Sequence, residues 1–356
     1  MTSLLARYVV RTILGHTLLV MLVLLALSGL YLFITQQDDI GVGTYTIEDA
    51  LLYVALSLPQ YAFDLLPIAA LIGALLALGN LARTTELIVV RSAGVSVVRI
   101  GLWVAGAGVI LMVVTGMLGE LAAPPMERYA RQMRMFEKFR DYSMAGDRSA
   151  WAKDGNTIIS VRQQSAGNRY GGVFVFRFDA QRRLLSVARA NTASIGAGNR
   201  WRLENYRETQ ISSDHVTPRR ESAVEVQTGL SPEFLGLATL EPESLPGRDL
   251  WSYVEHLRAN GLDARQYETA FWARIARTAA VAIIVVLAVP FAFGPMRSTG
   301  AGARTVVGVM IGVVFFLLAR MLESGGAVFE LPPIAVAWLP TALLALITTI
   351  AIARVR

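Results

Sequence analysis

Long runs of apolar residues make up most of the chain, and six of these runs approach the length of a membrane-spanning helix. A helix needs about 20 mostly apolar residues to cross the hydrocarbon core of a bilayer. Soluble domains instead alternate apolar and polar positions with the period of a helix or a strand. The pattern predicts six transmembrane helices, near residues 13–34, 57–81, 100–121, 271–293, 305–322 and 334–353.

The residues between the third and fourth predicted spans follow a different pattern. Short segments rich in β-branched and aromatic residues alternate partly with polar residues, and glycine, asparagine and aspartate separate them, which is typical of strands. The predicted strands are Asn156–Val161, Gly172–Phe178, Leu184–Thr192, Arg200–Ile211 and Glu221–Thr228. Because no helix separates these strands, a sandwich or jelly-roll is favoured over an α/β domain. A helix over Asp249–Asn260 is predicted to lead to the fourth span.

The fold class predicted from these patterns is an α-helical membrane protein with six transmembrane helices and an inserted β-jelly-roll domain. Residues 1–121 form the first three spans with a short helix near 82–95, residues 122–266 the β domain, and residues 267–356 the last three spans.

Arginines indicate the orientation, because positive residues accumulate in the cytoplasmic loops of membrane proteins. One set of span ends carries nine arginines: Arg7, Arg11, Arg83, Arg91, Arg99, Arg297, Arg304, Arg354 and Arg356. The short loops at the opposite ends carry acidic residues and no lysine or arginine: Asp38, Asp39, Glu48, Glu323 and Glu330. This asymmetry predicts that both termini face the cytoplasm and that the β domain lies on the other side of the membrane.

The composition argues against several classes of function. Hydrophobic residues make up 54% of the chain and charged residues 17%, and the net charge of +6 lies mostly at span ends, so no nucleic-acid partner is predicted. The chain has no cysteine and no G-x-x-x-x-G-K-[ST] loop, and its three histidines lie far apart in the sequence. We therefore expect no metal site, no catalytic residue and no cofactor bound by this chain.

The predicted cytoplasmic segment Asn80–Arg99 contains a short helix that opens at Arg83-Thr-Thr-Glu86 and ends at Ser92-Ala-Gly94. One interpretation is an interfacial turn that its arginines hold at the lipid headgroups. The other is a coupling helix that inserts into a cytoplasmic partner, with Glu86 meeting a basic residue there. The residues alone leave both open.

Basic residues cluster just beyond the outer ends of the third and fourth spans. Arg128, Arg131 and Arg134 recur every three residues and share one helical face that Lys138 continues, while Arg274 and Arg277 open the fourth span. Such a face is commonly just solvated. It also suits the phosphates of an anionic lipid, because arginine pairs with phosphate through two parallel hydrogen bonds.

Asp64 lies within the second predicted span, between Pro59 and Pro67. Ionisable residues inside membranes are costly and often functional. Asp64 would be the titrating group if the chain were an ion-coupled secondary transporter. A scaffold that anchors periplasmic partners without transporting anything is a second alternative.

Several segments carry a family resemblance: Ala26–Gly29 with Phe33, Leu66–Leu75, Arg83–Leu87, Ser92–Gly94, Ala123-Pro124, Trp151-Ala-Lys-Asp-Gly155 and Phe293–Ser298. Through them the chain resembles, along its whole length, the LptF/LptG lipopolysaccharide-export permeases, and among these the G-type subunits. Trp151–Gly155 is the most specific of the segments.

This resemblance implies a bacterial inner-membrane permease with a periplasmic jelly-roll. Its expected partners are an F-type permease, a dimeric cytoplasmic ATPase that binds ATP and Mg²⁺, and a bitopic C-type subunit. The expected substrate is lipopolysaccharide, which the complex extracts and passes to a periplasmic bridge. Where some members carry a lysine near the outer end of the first span, this chain has Leu32.

Roles at individual positions are also implied. Glu86, with Arg83 and Arg91, would couple the permease to the ATPase. Lipid would be bound by Arg131 and Arg134, together with Arg128, Arg274, Arg277 and Phe33. Phe174 and Phe176 are expected along the periplasmic lipid route, where either they or Val173, Val175 and Phe178 line the interior of the β domain.

Overall fold

A computed structural model describes residues 2–139, 150–165, 169–181, 183–196, 200–212, 215–227, 242, 245–293, 300–328 and 331–354. Thr228, Glu330, Arg356 and residues 294–298, which take part in the sequence-based predictions, lie outside these ranges. The chain forms two compact units. The helical unit comprises Met1–Lys138 and Arg265–Arg356, and the β unit comprises Phe139–Ala264.

The helical unit contains all the predicted spans. Its helices are α1 (Thr2–Gln36), α2 (Ile47–Arg83), α3 (Glu86–Ser92), α4 (Val97–Met117), α5 (Ala123–Phe139), α7 (Arg265–Phe293), α8 (Ala301–Val328) and α9 (Pro333–Ala353). Six candidate spans are present in the described residues, each long and apolar enough to cross a bilayer. The helices extend beyond the predicted spans because hydropathy marks only the apolar part of a helix.

Apolar side chains cover much of the outer surface of this unit. Leu18, Leu22 and Leu27 on α1 are each about 60% exposed, and α8 and α9 present similar faces. In water such surfaces would aggregate, whereas hydrocarbon chains solvate them at no cost. The predicted helical membrane protein with an inserted β domain is confirmed.

Helix α2 forms the centre of the helical unit and packs against α1, α7 and α8. Small residues allow the close contacts. A Cβ on Gly73 would lie 2.5 Å from Thr17 Cα on α1, and a Cβ on Gly108 of α4 would lie 2.9 Å from the Ala282 carbonyl oxygen on α7. Such residues let helices pack in lipid through van der Waals contact, where no hydrophobic effect drives them together.

Helical structure continues past residue 121, the predicted end of the third span. A π-helical turn, Leu118–Ala122, joins α4 to α5, which continues to Phe139. Residues 123–138 were assigned to the β domain from their polar composition, but they belong to the helical unit. A hydrogen bond holds α5 to the helical unit: the backbone N–H of Thr44, in the loop between α1 and α2, donates to the Glu137 carbonyl oxygen at 2.8 Å.

The described residues of the β unit form one antiparallel sheet in which each strand pairs with its neighbours in sequence. Its strands are β1 (Ala150–Asp154), β2 (Thr157–Ser165), β3 (Arg169–Phe178), β4 (Leu184–Gly196), β5 (Arg200–Ile211) and β6 (Val216–Gln227), and helix α6 (Gly247–Ala259) follows. Five of these strands were predicted. Strand β1 was not predicted. It lies in the Trp151–Gly155 segment and pairs with β2 through a tight turn at Gly155 (φ +55°).

A bend crosses three neighbouring strands of this sheet. Gly172 (φ +62°) on β3 and Asn205 (φ +52°) on β5 adopt left-handed conformations, which glycine and asparagine tolerate best. At this bend the inward-facing positions change parity, as from Trp201 and Leu203 to Tyr206 on β5. Because the parity changes, the inward-facing side chains on both sides of the bend belong to one apolar cluster. Alternation of apolar and polar residues along a strand therefore does not predict which residues form this cluster.

Candidate functional site

The segment between α2 and α4, residues 84–96, contains the short helix predicted from the sequence. Thr85 has φ +65°, a left-handed conformation that is rare outside glycine, and it turns the chain sharply from α2 into α3. Gly94 (φ +85°) follows the end of α3, and the Ser96 hydroxyl caps α4 by accepting from the Arg99 backbone N–H at 3.3 Å. Gly94 and Ser96 are thus local signals for the end of α3 and the start of α4, whereas Thr85 adopts a conformation that a β-branched residue disfavours.

One face of α3 is anchored and the other is open. Leu87 is buried in the core of the helical unit, whereas Ile88 is exposed and Val89 is 63% exposed. Arg83 ends α2 and is exposed, and the Arg91 guanidinium lies 5.8 Å from the centre of the Phe293 ring. An exposed apolar pair flanked by arginines suits a protein partner or a membrane surface.

The Glu86 carboxylate is held at both oxygens. The Tyr8 hydroxyl of α1 donates to Oε2 at 2.9 Å, and the Thr84 hydroxyl donates to Oε1 at 2.9 Å. Glu86 was predicted from the sequence as a coupling residue, whereas Tyr8 was not. Tyr8 lies 78 positions away, and no local pattern links the two residues.

At the opposite end of the helical unit, the predicted arginine face on α5 enters ion pairs. Arg134 and Lys138 both bind Asp39, which follows α1, and the Lys138 Nζ–Asp39 Oδ1 distance is 2.5 Å. Arg131 pairs with Glu127 on its own helix at 2.9 Å, and the side chains of Arg131 and Arg134 are each about one-third exposed. Arg128 is half-buried on the same helix, and Phe33 is half-buried on α1.

The loop between α1 and α2 is packed tightly against α5. A Cβ on Gly43 (φ +62°) would lie 2.5 Å from the Glu137 carbonyl oxygen, so no other residue fits without movement. Burial raises the pKa of Tyr45 in this loop to about 12, and the Tyr45 hydroxyl donates to Gln36 Oε1 at 3.4 Å. The position of the arginine face is therefore well defined.

Arg274 lies in a different network from the arginines of α5. Its side chain is 7% exposed, donates to the Gly119 carbonyl oxygen of the π-helical turn and pairs with Glu120 at 2.7 Å. The Arg274 guanidinium also lies 4.9 Å from the centre of the Phe63 ring. A π turn leaves a carbonyl without its usual helical donor, and Arg274 supplies one.

Arg277, one turn further along α7, joins three helices. It donates to both Glu323 oxygens of α8, at 2.9 and 3.1 Å, and lies 3.5 Å from Asp64 of α2. Gln60 donates to the other Asp64 oxygen at 3.2 Å. The sequence indicates Asp64 and Arg277 only as separate candidates and predicts Glu323 in a loop, because hydropathy does not show which side chains meet.

In the β unit, Val173 and Val175 lie in the buried cluster, which also contains Trp201. Phe174 and Phe176 lie on the opposite face, where Phe176 stacks on the exposed Trp151 with ring centres 5.7 Å apart. Of the alternative set, Val173 and Val175 thus face the buried cluster, whereas Phe178 is half-buried and lies outside that cluster, after a register shift at Arg177/Phe178. A lipid contact at Phe174 and Phe176 stays a prediction for the outer face.

The chain is similar to known proteins along almost its whole length. Residues 7–354 match the model of the family described as lipopolysaccharide export system permease LptF/LptG. The lipopolysaccharide export system permease protein LptG of Haemophilus influenzae is 33% identical over 344 residues, 96% of each chain. The LptG protein of Escherichia coli K12 is 33% identical over 338 residues, 94% of each chain. With its six apolar helices, this multi-pass inner-membrane protein therefore belongs to the LptF/LptG family of lipopolysaccharide export system permeases.

Proposed function

We propose that the chain is the G-type transmembrane subunit of an ATP-driven complex that extracts lipopolysaccharide from the inner membrane. The complex passes the lipid to a periplasmic bridge towards the outer membrane. The observation that carries this proposal is the α2–α4 segment, which presents a doubly held carboxylate beside exposed apolar residues. Such a surface fits a cytoplasmic partner that delivers motion, and the family membership supports an ATPase as that partner.

The partners in this proposal are an F-type permease, a dimeric ATPase and a bitopic C-type subunit. ATP and Mg²⁺ bind to the ATPase, and the chain itself is a transport subunit. Glu86 meets a cation on the ATPase, while Arg83 and Arg91 border the contact. The exposed side chains of Ile88 and Val89 supply its apolar part.

We assign the lipid phosphates to the arginine face of α5. Asp39 binds both Arg134 and Lys138, so these three groups together retain one positive charge, and Arg131 and Arg134 keep part of their guanidinium surface open. Hydrogen bonds between ionised groups are roughly twice as strong as neutral ones. Arg274 and Arg277 were expected to bind lipid as well. We assign them a structural role instead, because their side chains are only 7% and 17% exposed and their charges are paired within the helical unit.

Reconstitution tests the proposed function. We expect this chain to co-purify with a matched F-type permease, the ATPase and the C-type subunit. In proteoliposomes, the complex should then release lipopolysaccharide to a periplasmic acceptor only when ATP is hydrolysed. The control is the same complex with an ATPase that binds ATP but cannot hydrolyse it. Release driven by a proton gradient without ATP would favour a secondary transporter, and absence of release under either condition would favour a scaffold.

The proposed orientation can be tested by cysteine labelling, since the native chain has no cysteine. Ala180, in the turn after β3, and Gly300, just before α8, are both exposed. In intact spheroplasts, a membrane-impermeant maleimide should label Ala180→Cys. It should label Gly300→Cys only after the membrane is permeabilised. Labelling of both positions from the same side would contradict six spans with cytoplasmic termini.

A further inference from the structure

Tyr8 lies in the second turn of α1, at the membrane end that carries α3, and is 48% exposed. Its ring is not part of the core of the helical unit. Its hydroxyl donates a 2.9 Å hydrogen bond to Glu86 Oε2. A tyrosine that is half exposed and aimed at a carboxylate on another helix is suited to holding that carboxylate.

The two donors to Glu86 come from different parts of the chain. Thr84 is two residues away and holds Oε1 locally. Tyr8 holds Oε2 from α1 and so determines the carboxylate orientation relative to that helix. With both oxygens held, Glu86 loses little rotamer freedom when a cation binds, because it is already ordered.

The same bond connects α3 to a helix with a large exposed surface. α1 packs against α2 and α4 along one side, while its other side is exposed along much of its length. Glu86, at the first position of α3, is within hydrogen-bond reach of α1 through Tyr8. A movement of α3 is therefore transmitted to α1 through the Tyr8–Glu86 hydrogen bond as well as through packing in the core.

We propose that Tyr8 is a positioning residue that presents the Glu86 carboxylate to the ATPase and links α1 to the movement of α3. The proposal rests on the function proposed above, since it requires that Glu86 meets a partner cation. It further states that the Tyr8 hydroxyl acts through its hydrogen bond to Glu86, and that the Tyr8 ring has no role beyond packing.

Tyr8→Phe removes the hydroxyl and keeps the ring. We expect this variant to weaken binding of the ATPase to the purified permease pair by about fivefold, which corresponds to the typical net contribution of one intramolecular hydrogen bond. In a Glu86→Ala background the same substitution should change the affinity by less than about twofold, because the acceptor is already gone. Tyr31→Phe, on the same helix and also exposed, is the matched control and should bind normally.

A distance measurement tests the link without the ATPase. Spin labels at Leu4→Cys on α1 and Val89→Cys on α3 occupy exposed positions in a chain without native cysteine. The distance distribution between them should broaden in Tyr8→Phe and stay unchanged in Tyr31→Phe. Thermal stability should be the same in both variants, so the broadening is not a sign of misfolding.

The possible results separate the two proposals. Normal ATPase binding by Tyr8→Phe, together with weakened binding by Glu86→Ala, would overturn the role of Tyr8 and leave the proposed function intact. A fivefold loss that persists in the Glu86→Ala background would overturn action through Glu86. Normal binding by Glu86→Ala would overturn the coupling contact itself, and the presentation by Tyr8 with it.

Discussion

Replacing Glu86 with alanine is expected to weaken assembly with the ATPase by about 2–5 kcal/mol, while insertion into the membrane stays normal. The size of the loss reflects the cation left unpaired in a partly desolvated contact, more than the worth of the pair itself. Glu86→Lys should bind still more weakly, because it places two positive charges together. The measurement is the affinity of the purified permease pair for the ATPase, with lipopolysaccharide release as a second readout.

Glu48 provides the matched control for this prediction. It is an exposed glutamate in the first turn of α2, at the end of the helix opposite to α3. Glu48→Ala should leave ATPase binding unchanged. If Glu86→Ala and Glu86→Lys both assemble and export like the wild type, Glu86 is a solvated residue and α3 only an interfacial turn.

Removing Arg274 is expected to produce the largest loss of stability among the basic residues considered. Arg274→Ala should destabilise the folded chain by about 3 kcal/mol, because it leaves the Gly119 carbonyl without a donor and removes the buried guanidinium that pairs with Glu120. We take the lower end of the usual range because the Glu120 side chain is 43% exposed, so water can solvate it when Arg274 is gone. Arg274→Lys should recover only part of the loss, since one ammonium cannot reproduce the planar fork of the guanidinium.

Thermal unfolding of the purified chain in detergent measures this effect. Arg320→Ala is the control, because the Arg320 side chain is 50% exposed and lies 3.7 Å from Glu323. Exposed pairs of this kind contribute about 0–1 kcal/mol. Equal stability of Arg274→Ala and Arg320→Ala would show that the π-helical turn does not depend on Arg274, and would return Arg274 to the lipid-binding candidates.

The two predictions concern residues that the sequence presented in similar ways. Glu86 and Arg274 were both charged residues next to apolar runs, and each had a solvated interpretation. Tertiary contacts distinguish them. Glu86 is held at both oxygens yet half exposed, so it can still meet a partner, whereas Arg274 is buried and its charge is balanced inside the chain.

The β unit shows where local patterns stop being informative. Alternation located five strands, but it could not locate β1, which has only five residues. It also could not show which face of β3 is inward. The bend at Gly172 and Asn205 changes the parity of the buried positions, and it is visible only when neighbouring strands are aligned.

Sequence by itself determined the six spans, the arginine asymmetry, the inserted β domain and the short helix between α2 and α4. These features depend on run length, local periodicity and capping residues, which are properties of short stretches of chain. Tertiary structure alone decided that Tyr8 meets Glu86, that Arg134 meets Asp39 and that Arg274 meets the π-helical turn. The partners in these contacts lie 78 to 155 positions apart. Their meeting depends on how the helices pack, which no local pattern encodes.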